Sequence, residues 1–447
     1  MSDRPRAPVK SVGDRRQVWA LRLLPVTAAV GPTFLTLEIA GAGLFPFRML
    51  VIFLFLATMG SATRWRTRPL ALLFLIVGLI WTVWSGLSLW WAPDLNLGIE
   101  QTFGIGFGLM VGVVVLNLGL HSESHLDAIL EGWMAAYTLS GFFAVRELVT
   151  GVYLPGDAAE LYGDRAIEGI AISFFDNPNN YAAFILLCVP FMLLGYARAQ
   201  TKLTSRIALL LLASVPVLVF FTTSRLALIG VFVQFLVFAL IGLETPGQVF
   251  KYLALATTVV VLIGAVFWSG SRTANDLEQT FNRDYAVTGS DTVRWNLFLN
   301  GLWMTWDSGG MGVGAAGYGV TTETEYIPHA VGDITDPHNF WIEILSQHGV
   351  LVFVAVSLWF SRVARVAVWA RRLAAFGDEP HVHAVSVAIL VGLSGYLFAS
   401  LANSTFISQS DNWMFLASLA ALASSLPYFR QTAVRQRILA KRTPPNG

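Results

Sequence analysis

The stretch PLALLFLIVGLIWTVWSGLSLWW, residues 69–91, contains no charged side chain and ends in two tryptophans. In a helix, about 20 apolar residues are long enough to cross a hydrocarbon core of about 30 Å. Tryptophan is enriched where such helices reach the membrane interface. The stretch therefore predicts a transmembrane helix.

The rest of the chain repeats this pattern. Of its 447 residues, 55% are hydrophobic and 13% are charged, against about 25% charged in an average soluble domain. The apolar segments are at 18–38, 43–62, 69–91, 97–120, 126–148, 170–196, 206–222, 225–243, 251–268, 339–360, 384–402 and 411–428. We expect an all-α integral membrane protein with about 12 transmembrane helices, nine within residues 18–268 and three within 339–428.

The distribution of Lys and Arg predicts the orientation, because short cytoplasmic loops carry an excess of both. The basic clusters are the tail 1–17, residues 64–68, 197–206 and 361–372, and the tail 429–447. With twelve spans, all five clusters fall on one side, which predicts that both termini are cytoplasmic. Residues 269–338 then form one large external loop, and loops of that length are usually functional.

Two other features narrow the possible chemistry. Cys188 is the one cysteine, which excludes a disulfide within the chain and a cysteine-based metal site. The triplet ETE, residues 323–325, is of a kind that acidic loops produce freely, and we expect no metal ion. The glycine-rich piece GGMGVGAAGYG, residues 309–319, has no flanking strand and helix of a βαβ unit. We expect a flexible hinge there rather than a nucleotide site, and no cofactor.

Two arginines occur at predicted external positions. Arg225 opens the eighth span, with Thr223 or Ser224 as its N-cap. Arg294 lies in an amphipathic stretch of the large loop. The apolar residues of that stretch expected at the membrane interface are Trp295, Leu297, Phe298, Leu302 and Trp303. An Arg at the end of a span is most often an interface anchor, so position alone does not assign a function to either one.

The sequence DPHN, residues 336–339, begins the tenth span. Asp336 is expected to cap the helix, Pro337 to occupy its first position, and His338 and Asn339 to lie in its first turn. A helix N-terminus attracts phosphate and disfavours imidazolium, so His338 should be neutral and able to accept a proton. A polar cap is the plainer interpretation of this histidine, and His348 is interpreted as a packing residue.

Two guanidinium groups close to a neutral base would suit one kind of reaction. Arg225 and Arg294 can bind a diphosphate through paired hydrogen bonds. A neutral His338 beside that diphosphate suggests group transfer in which a phosphate ester leaves. The sequence does not establish that the three residues meet in space.

With these residues in view, the chain resembles the O-antigen ligase and polymerase superfamily of bacterial envelope glycosyltransferases. HNFWIEILSQHGVLV, from His338, fits the ligase signature of His, then Asn, Ser or Gln, nine residues and Gly, which is Gly349 here. The other similar pieces are FFDNPNNYAAFILLCVPFML from Phe174, TTSRLALIG from Thr222, DTVRWNLF from Asp291 and MGVGAAGYG from Met311. The similarity is good over residues 170–365.

The resemblance implies a metal-independent, inverting transferase of the all-helical membrane type, similar to the GT-C class. Its donor would be a glycan on undecaprenyl diphosphate at the outer face of the bacterial cytoplasmic membrane, with no nucleotide or nucleic acid involved. Arg225 and Arg294 would hold the diphosphate, and Arg146, near the external end of the fifth span, is a weaker candidate. His338 would activate the acceptor hydroxyl or align it. Asn339, Asp336 and Gly349 would support the site.

The signature from His338 to Gly349 favours a ligase, and two alternative functions stay open. A ligase passes a finished glycan to a different lipid or glycan acceptor, such as lipid A core. A polymerase joins lipid-linked repeat units, as in O-antigen, capsule or teichuronic acid. A flippase or other transporter is the alternative from another class, and it should show repeated halves and broken helices near the midplane.

Overall fold

The structure, a computed structural model, is helical over most of the chain it describes. It describes residues 12–39, 42–58, 68–119, 122–154, 169–199, 201–242, 290–324, 327–332, 334–377, 379–402 and 406–442. The helices are α1 Val12–Val30, α2 Pro46–Thr58, α3 Pro69–Ser88, α4 Leu95–Gly119, α5 Glu123–Thr150, α6 Pro178–Ala197, α7 Lys202–Phe221, α8 Arg225–Gly242, α9 Ser290–Asp307, α10 Gly317–Thr324, α11 Phe340–Gly377, α12 Pro380–Ala402 and α13 Ser410–Arg442.

The helices agree with an all-α membrane protein. Eight of those described, α3 to α8 with α11 and α12, are long and apolar enough to cross a membrane. Eleven of the twelve predicted spans coincide with a helix, and the remaining one, 251–268, lies outside the described residues. The number of spans and the cytoplasmic location of both termini stay predictions.

The first predicted span extended too far. Helix α1 ends at Val30, where Gly31 takes a φ of +55° and Pro32 follows. The next residues form an antiparallel hairpin of β1 Leu37–Ile39 and β2 Ala42–Leu44. The predicted span 18–38 therefore mistook part of a hairpin for helix, because its residues are apolar enough for either structure.

Two apolar cores hold the helices together. The larger one runs through the bundle around α6, which is buried along most of its length and packs against α5, α7 and α12. The smaller one joins α9, α10 and the start of α11, and its buried members are Leu297, Met304, Tyr318, Val331 and Ile342. Helix α11 therefore lies between the two cores.

Helix α11 is not one straight helix. Gly349 interrupts it with a φ of +74° and a ψ of −176°. The ring of Trp341 lies 5.3 Å from that of Phe360 and 6.2 Å from that of Phe353. In a continuous helix, Trp341 and Phe360 would be roughly 28 Å apart. The segment 340–348, here α11a, therefore folds back against the segment 350–377, here α11b. The prediction of one continuous helical span over 339–360 was wrong.

Hydrogen bonds with the glycine-rich piece 309–319 stabilise the reversal of α11 at Gly349. The backbone N–H of Val350 donates to Gly310 O at 2.9 Å, and the N–H of Val313 donates to Ser346 O at 2.8 Å. These bonds satisfy polar groups that the break in the helix would otherwise leave unpaired. The piece is therefore a fixed packing element, not the flexible hinge expected from the sequence.

Candidate active site

His338 stands just outside α11a, not in its first turn. The Asn339 side-chain oxygen accepts hydrogen bonds from the N–H groups of Trp341 at 3.0 Å and Ile342 at 3.2 Å, so Asn339 is the N-cap. His338 has a φ of +45°, and the helix cannot continue back through that conformation. The prediction of Asp336 as the cap and Pro337 as the first helical residue was wrong.

The backbone of His338 is strained. A positive φ costs a residue with a side chain about 1 to 2 kcal/mol. The Nδ1 atom of the same residue is buried and has no hydrogen-bond partner among the described residues. Strained backbone and unpaired polar atoms concentrate at functional sites, where the surrounding fold maintains them. Both observations make His338 a candidate for the centre of a functional site.

Burial and, to a smaller extent, the positive charge of nearby Arg294 together lower the pKa of His338 to about 4. The imidazole is therefore neutral at neutral pH. The sequence attributed neutrality to the helix N-terminus, whereas the structure gives burial as the main cause. The electrostatic effect also indicates that the Arg294 side chain lies near His338.

Close packing of α9 on α11a brings Arg294 to this position. A Cβ atom on Gly301 would lie 2.2 Å from the Ile342 side chain, so the two helices approach more closely than a larger residue would permit. Tyr318 adds a hydrogen bond from its hydroxyl to Leu297 O at 2.6 Å. Arg294 is therefore carried by a helix that the second core holds in place.

Part of the apolar face of α9 that the sequence predicted to lie at the membrane interface is exposed, and its contact with the interface stays a prediction. Trp295 is 60% exposed and Leu302 is 40% exposed, and Trp306, 86% exposed, extends the same face. Leu297 is buried in the second core, so its predicted place at the interface was wrong. Phe298 and Trp303 are partly buried against that core.

A buried polar network lies on the other side of α11a. The indole N–H of Trp341 donates to the Ser400 hydroxyl at 3.1 Å. Glu343, also buried, accepts a hydrogen bond from the N–H of Ile407, in the turn before α13. The exposed residue Asp336 lies close enough to Glu343 to interact with it electrostatically. These contacts hold α11a in position. Glu343 was not identified from the sequence as a buried polar residue near the candidate site.

Arg225 is the first residue of α8, and its side chain is exposed. Ser224 occupies the N-cap position and Thr223 has a φ of +58°. Helix α8 packs against α6, α7 and α12, whereas Arg294 is on α9, which packs against α11. The meeting of Arg225 with Arg294 at one diphosphate therefore stays a prediction.

Arg146 lies at the end of α5, where it donates a hydrogen bond to Val152 O at 3.0 Å. This contact closes the turn after Gly151, which ends the helix with a φ of +65°. Its suggested contact with the diphosphate stays a prediction. His348 is fully buried beside Trp81, with ring centroids 5.8 Å apart, as expected of a packing residue.

Among the described residues, no three or more His, Cys, Asp or Glu side chains are grouped to hold a metal ion. Glu323, from the acidic triplet, is exposed.

Comparisons with known proteins show what this chain is similar to. The O-antigen ligase family model matches residues 207–357, a range that contains Arg225, Arg294, His338 and Gly349. The chain is also 22% identical over 364 residues to the teichuronic acid biosynthesis protein TuaE of Bacillus subtilis (strain 168), covering 78% of this chain and 71% of that protein. The similarity of this chain to the O-antigen ligase and polymerase superfamily, predicted from its motifs, is thereby confirmed.

Proposed function

We propose that this protein transfers a glycan from an undecaprenyl-diphosphate-linked donor to an acceptor hydroxyl at the outer face of the bacterial cytoplasmic membrane. The observation that carries the proposal is that His338, neutral and with a strained backbone, lies within electrostatic range of Arg294. The family model and the relative support glycan transfer of this general type.

In the proposed reaction, the acceptor oxygen attacks the anomeric carbon of the donor sugar from the face opposite the diphosphate. The bond from that carbon to the diphosphate oxygen breaks, and the lipid diphosphate leaves with the electron pair. His338 takes the hydroxyl proton or aligns the hydroxyl for attack. Arg294 and Arg225 hold the leaving diphosphate through charge-assisted hydrogen bonds.

A pKa of about 4 makes the free imidazole of His338 a weak base. Bound donor would change this, because a diphosphate beside Arg294 offsets the positive charge that lowers the pKa. The pKa of His338 therefore rises when the donor binds, so the residue becomes a stronger base when it is needed.

The glycosyl diphosphate linkage supplies the free energy of transfer, so the proposal includes no nucleotide, no metal ion and no other cofactor. Asn339 supports His338 by capping α11a, and Gly349 supports it by allowing α11a to fold back.

A second candidate is polymerisation, in which the acceptor hydroxyl belongs to another lipid-linked repeat unit. The similarity to a teichuronic acid biosynthesis protein favours this candidate. Both candidates use the same donor chemistry and differ in the acceptor.

A transporter of lipid-linked glycans is the candidate from another class. The break in α11 favours it, because broken helices are common in transporters. Transport leaves the sugar–diphosphate bond intact, and this difference separates it from both transferases.

The test is transfer in detergent with purified protein, an undecaprenyl-diphosphate oligosaccharide, a chelator and no nucleotide, with added acceptor or with donor alone. We expect release of the lipid diphosphate together with a new glycosidic bond. One product of fixed size with added acceptor indicates a ligase, and a ladder from donor alone indicates a polymerase. Intact donor under all conditions would contradict the proposal.

A further inference from the structure

A buried carboxylate lies next to Arg146 at the end of α5. Glu147 is 1% exposed, and its Oε2 atom accepts hydrogen bonds from the N–H groups of Ile172 at 3.0 Å and Ser173 at 2.9 Å. Its Oε1 atom is buried without a hydrogen-bond partner among the described residues. Glu147 thus fixes the backbone of the segment before α6 from a neighbouring helix.

The conformation of that segment depends on these bonds. Ser173 has a φ of +59°, which is unfavourable for a residue with a side chain. Its hydroxyl donates to Ser140 O at 2.9 Å, again on α5. The segment is therefore attached to α5 at both its backbone and its side chain, in a shape that it would not adopt alone.

The same segment holds the end of α7. The N–H of Ala171, directly before the two residues that Glu147 binds, donates to Phe221 O at 2.9 Å. Phe221 is the last residue of α7, and Arg225 begins α8 four residues later. A continuous path of hydrogen bonds and backbone thus leads from Glu147 to the turn that presents Arg225.

That turn is itself closely defined. Thr222 is fully buried, and its hydroxyl donates to Val219 O at 2.7 Å. Thr223 has a φ of +58° and its N–H donates to Phe220 O at 3.0 Å. Because this short turn has little freedom, a shift of Phe221 is transmitted to Arg225.

We propose that Glu147 is a positioning residue for Arg225, acting through residues 171–173 and the end of α7. This inference rests on the proposed function, in which Arg225 holds the donor diphosphate. Misplacing a binding group by about 1 Å can cost a factor of about 100 in rate. Small movements of residues 171–173 that displace Arg225 are therefore expected to impair glycan transfer.

Two substitutions distinguish the contribution of the length of the Glu147 side chain from that of its charge. Glu147→Gln keeps the length of the side chain and an oxygen that can accept both N–H groups. Glu147→Asp keeps the charge but withdraws the carboxylate by one methylene. If Glu147 positions Arg225, the Gln variant works and the Asp variant does not. Val149→Ala, on the same helix at a residue 79% exposed, is the matched control.

The experiment measures the donor KM and kcat of the purified full-length variants, each alone and combined with Arg225→Ala. We expect Glu147→Asp to raise the donor KM about tenfold or more, with Glu147→Gln and Val149→Ala near wild type. In the Arg225→Ala background, Glu147→Asp should have no further effect on KM. A merely structural role would lower the folded fraction, and hence kcat, without changing KM.

Three results would overturn the inference. The first is a wild-type KM in Glu147→Asp while Arg225→Ala is impaired, a result that would not affect the proposed binding of the diphosphate by Arg225. The second is a further increase in KM when the two substitutions are combined. The third is normal turnover in Arg225→Ala, which would remove the proposed role of Arg225 as well.

Discussion

The ring of Trp341 lies 5.3 Å from the ring of Phe360, so the two parts of α11 fold back on each other around Gly349. This reversal lays α11a between the two apolar cores and places His338, two residues before α11a, beside Arg294. The histidine and the glycine of the ligase signature thus belong to one structural unit. The glycine permits the turn that positions the histidine.

Gly349→Ala is expected to destabilise the protein. A Cβ atom there would lie 2.3 Å from Gly310 O, at a φ of +74°. Strain of about 1 to 2 kcal/mol and overpacking of about 1 to 3 kcal/mol together predict a loss of about 2 to 5 kcal/mol. Thermal unfolding in detergent measures it. Gly86→Ala, where no atom lies within 4 Å of the new Cβ, is the control. Equal unfolding temperatures for Gly349→Ala and wild type would refute this assignment.

Arg294→Ala and Arg225→Ala are expected to be folded but severely impaired in transfer, because each removes a charge-assisted contact with the diphosphate. Hydrogen bonds to charged groups contribute about 1.5 to 3 kcal/mol each, which predicts a loss of roughly 10- to 100-fold in kcat/KM. Arg362→Ala, an exposed residue in a predicted cytoplasmic cluster, serves as the control. Normal turnover in either variant would show that the substituted arginine does not hold the diphosphate.

The pH dependence of kcat/KM should report His338. Because the pKa of its imidazole in the free protein is about 4, the neutral form persists until the pH falls to that value. We expect activity to fall only near pH 4, well below the ordinary histidine range. In Arg294→Ala, residual activity should begin to fall at a higher pH, because the cation no longer lowers the pKa. In this variant the pKa of His338 stays below 6.5, because burial still lowers it. An unchanged profile would mean that Arg294 does not act on His338.

The outer face of α9 should contact lipid. Spin labels on cysteines introduced at Leu302 and Trp306 report depth, and Cys188 is fully buried, so labelling there is not expected to interfere. In vesicles of phosphatidylethanolamine and phosphatidylglycerol, we expect both labels to be accessible to oxygen and shielded from a water-soluble nickel chelate. A label at the exposed residue Ala330 provides the aqueous reference. Labels at 302 and 306 that are as accessible to the chelate as the one at 330 would place α9 in water.

The sequence was sufficient to predict where most of the helices lie, and insufficient to predict how α11 is bent. Apolar runs and flanking polar residues predicted the start of α3 at Pro69 and of α8 at Arg225. Apolar residues occur on both sides of Gly349, so the local pattern indicates one helix. The reversal depends on hydrogen bonds from the distant glycine-rich piece, which local patterns do not reveal.

Glu147 was missed for a related reason. Its partners, Ile172 and Ser173, lie 25 or more residues away and are held through their backbone, so no side-chain motif marks them. A carboxylate inside an apolar run is itself a signal, because such a group is costly in a membrane segment.

In the proposed reaction, His338 acts directly in glycan transfer. The most direct test of this role is a single turnover with donor already bound, comparing wild type, His338→Ala and His381→Ala, an exposed histidine at the start of α12. We expect His338→Ala to release lipid diphosphate about 100- to 10,000-fold more slowly, as for loss of a general base, while His381→Ala matches wild type. Equal release rates for wild type and His338→Ala would contradict the account.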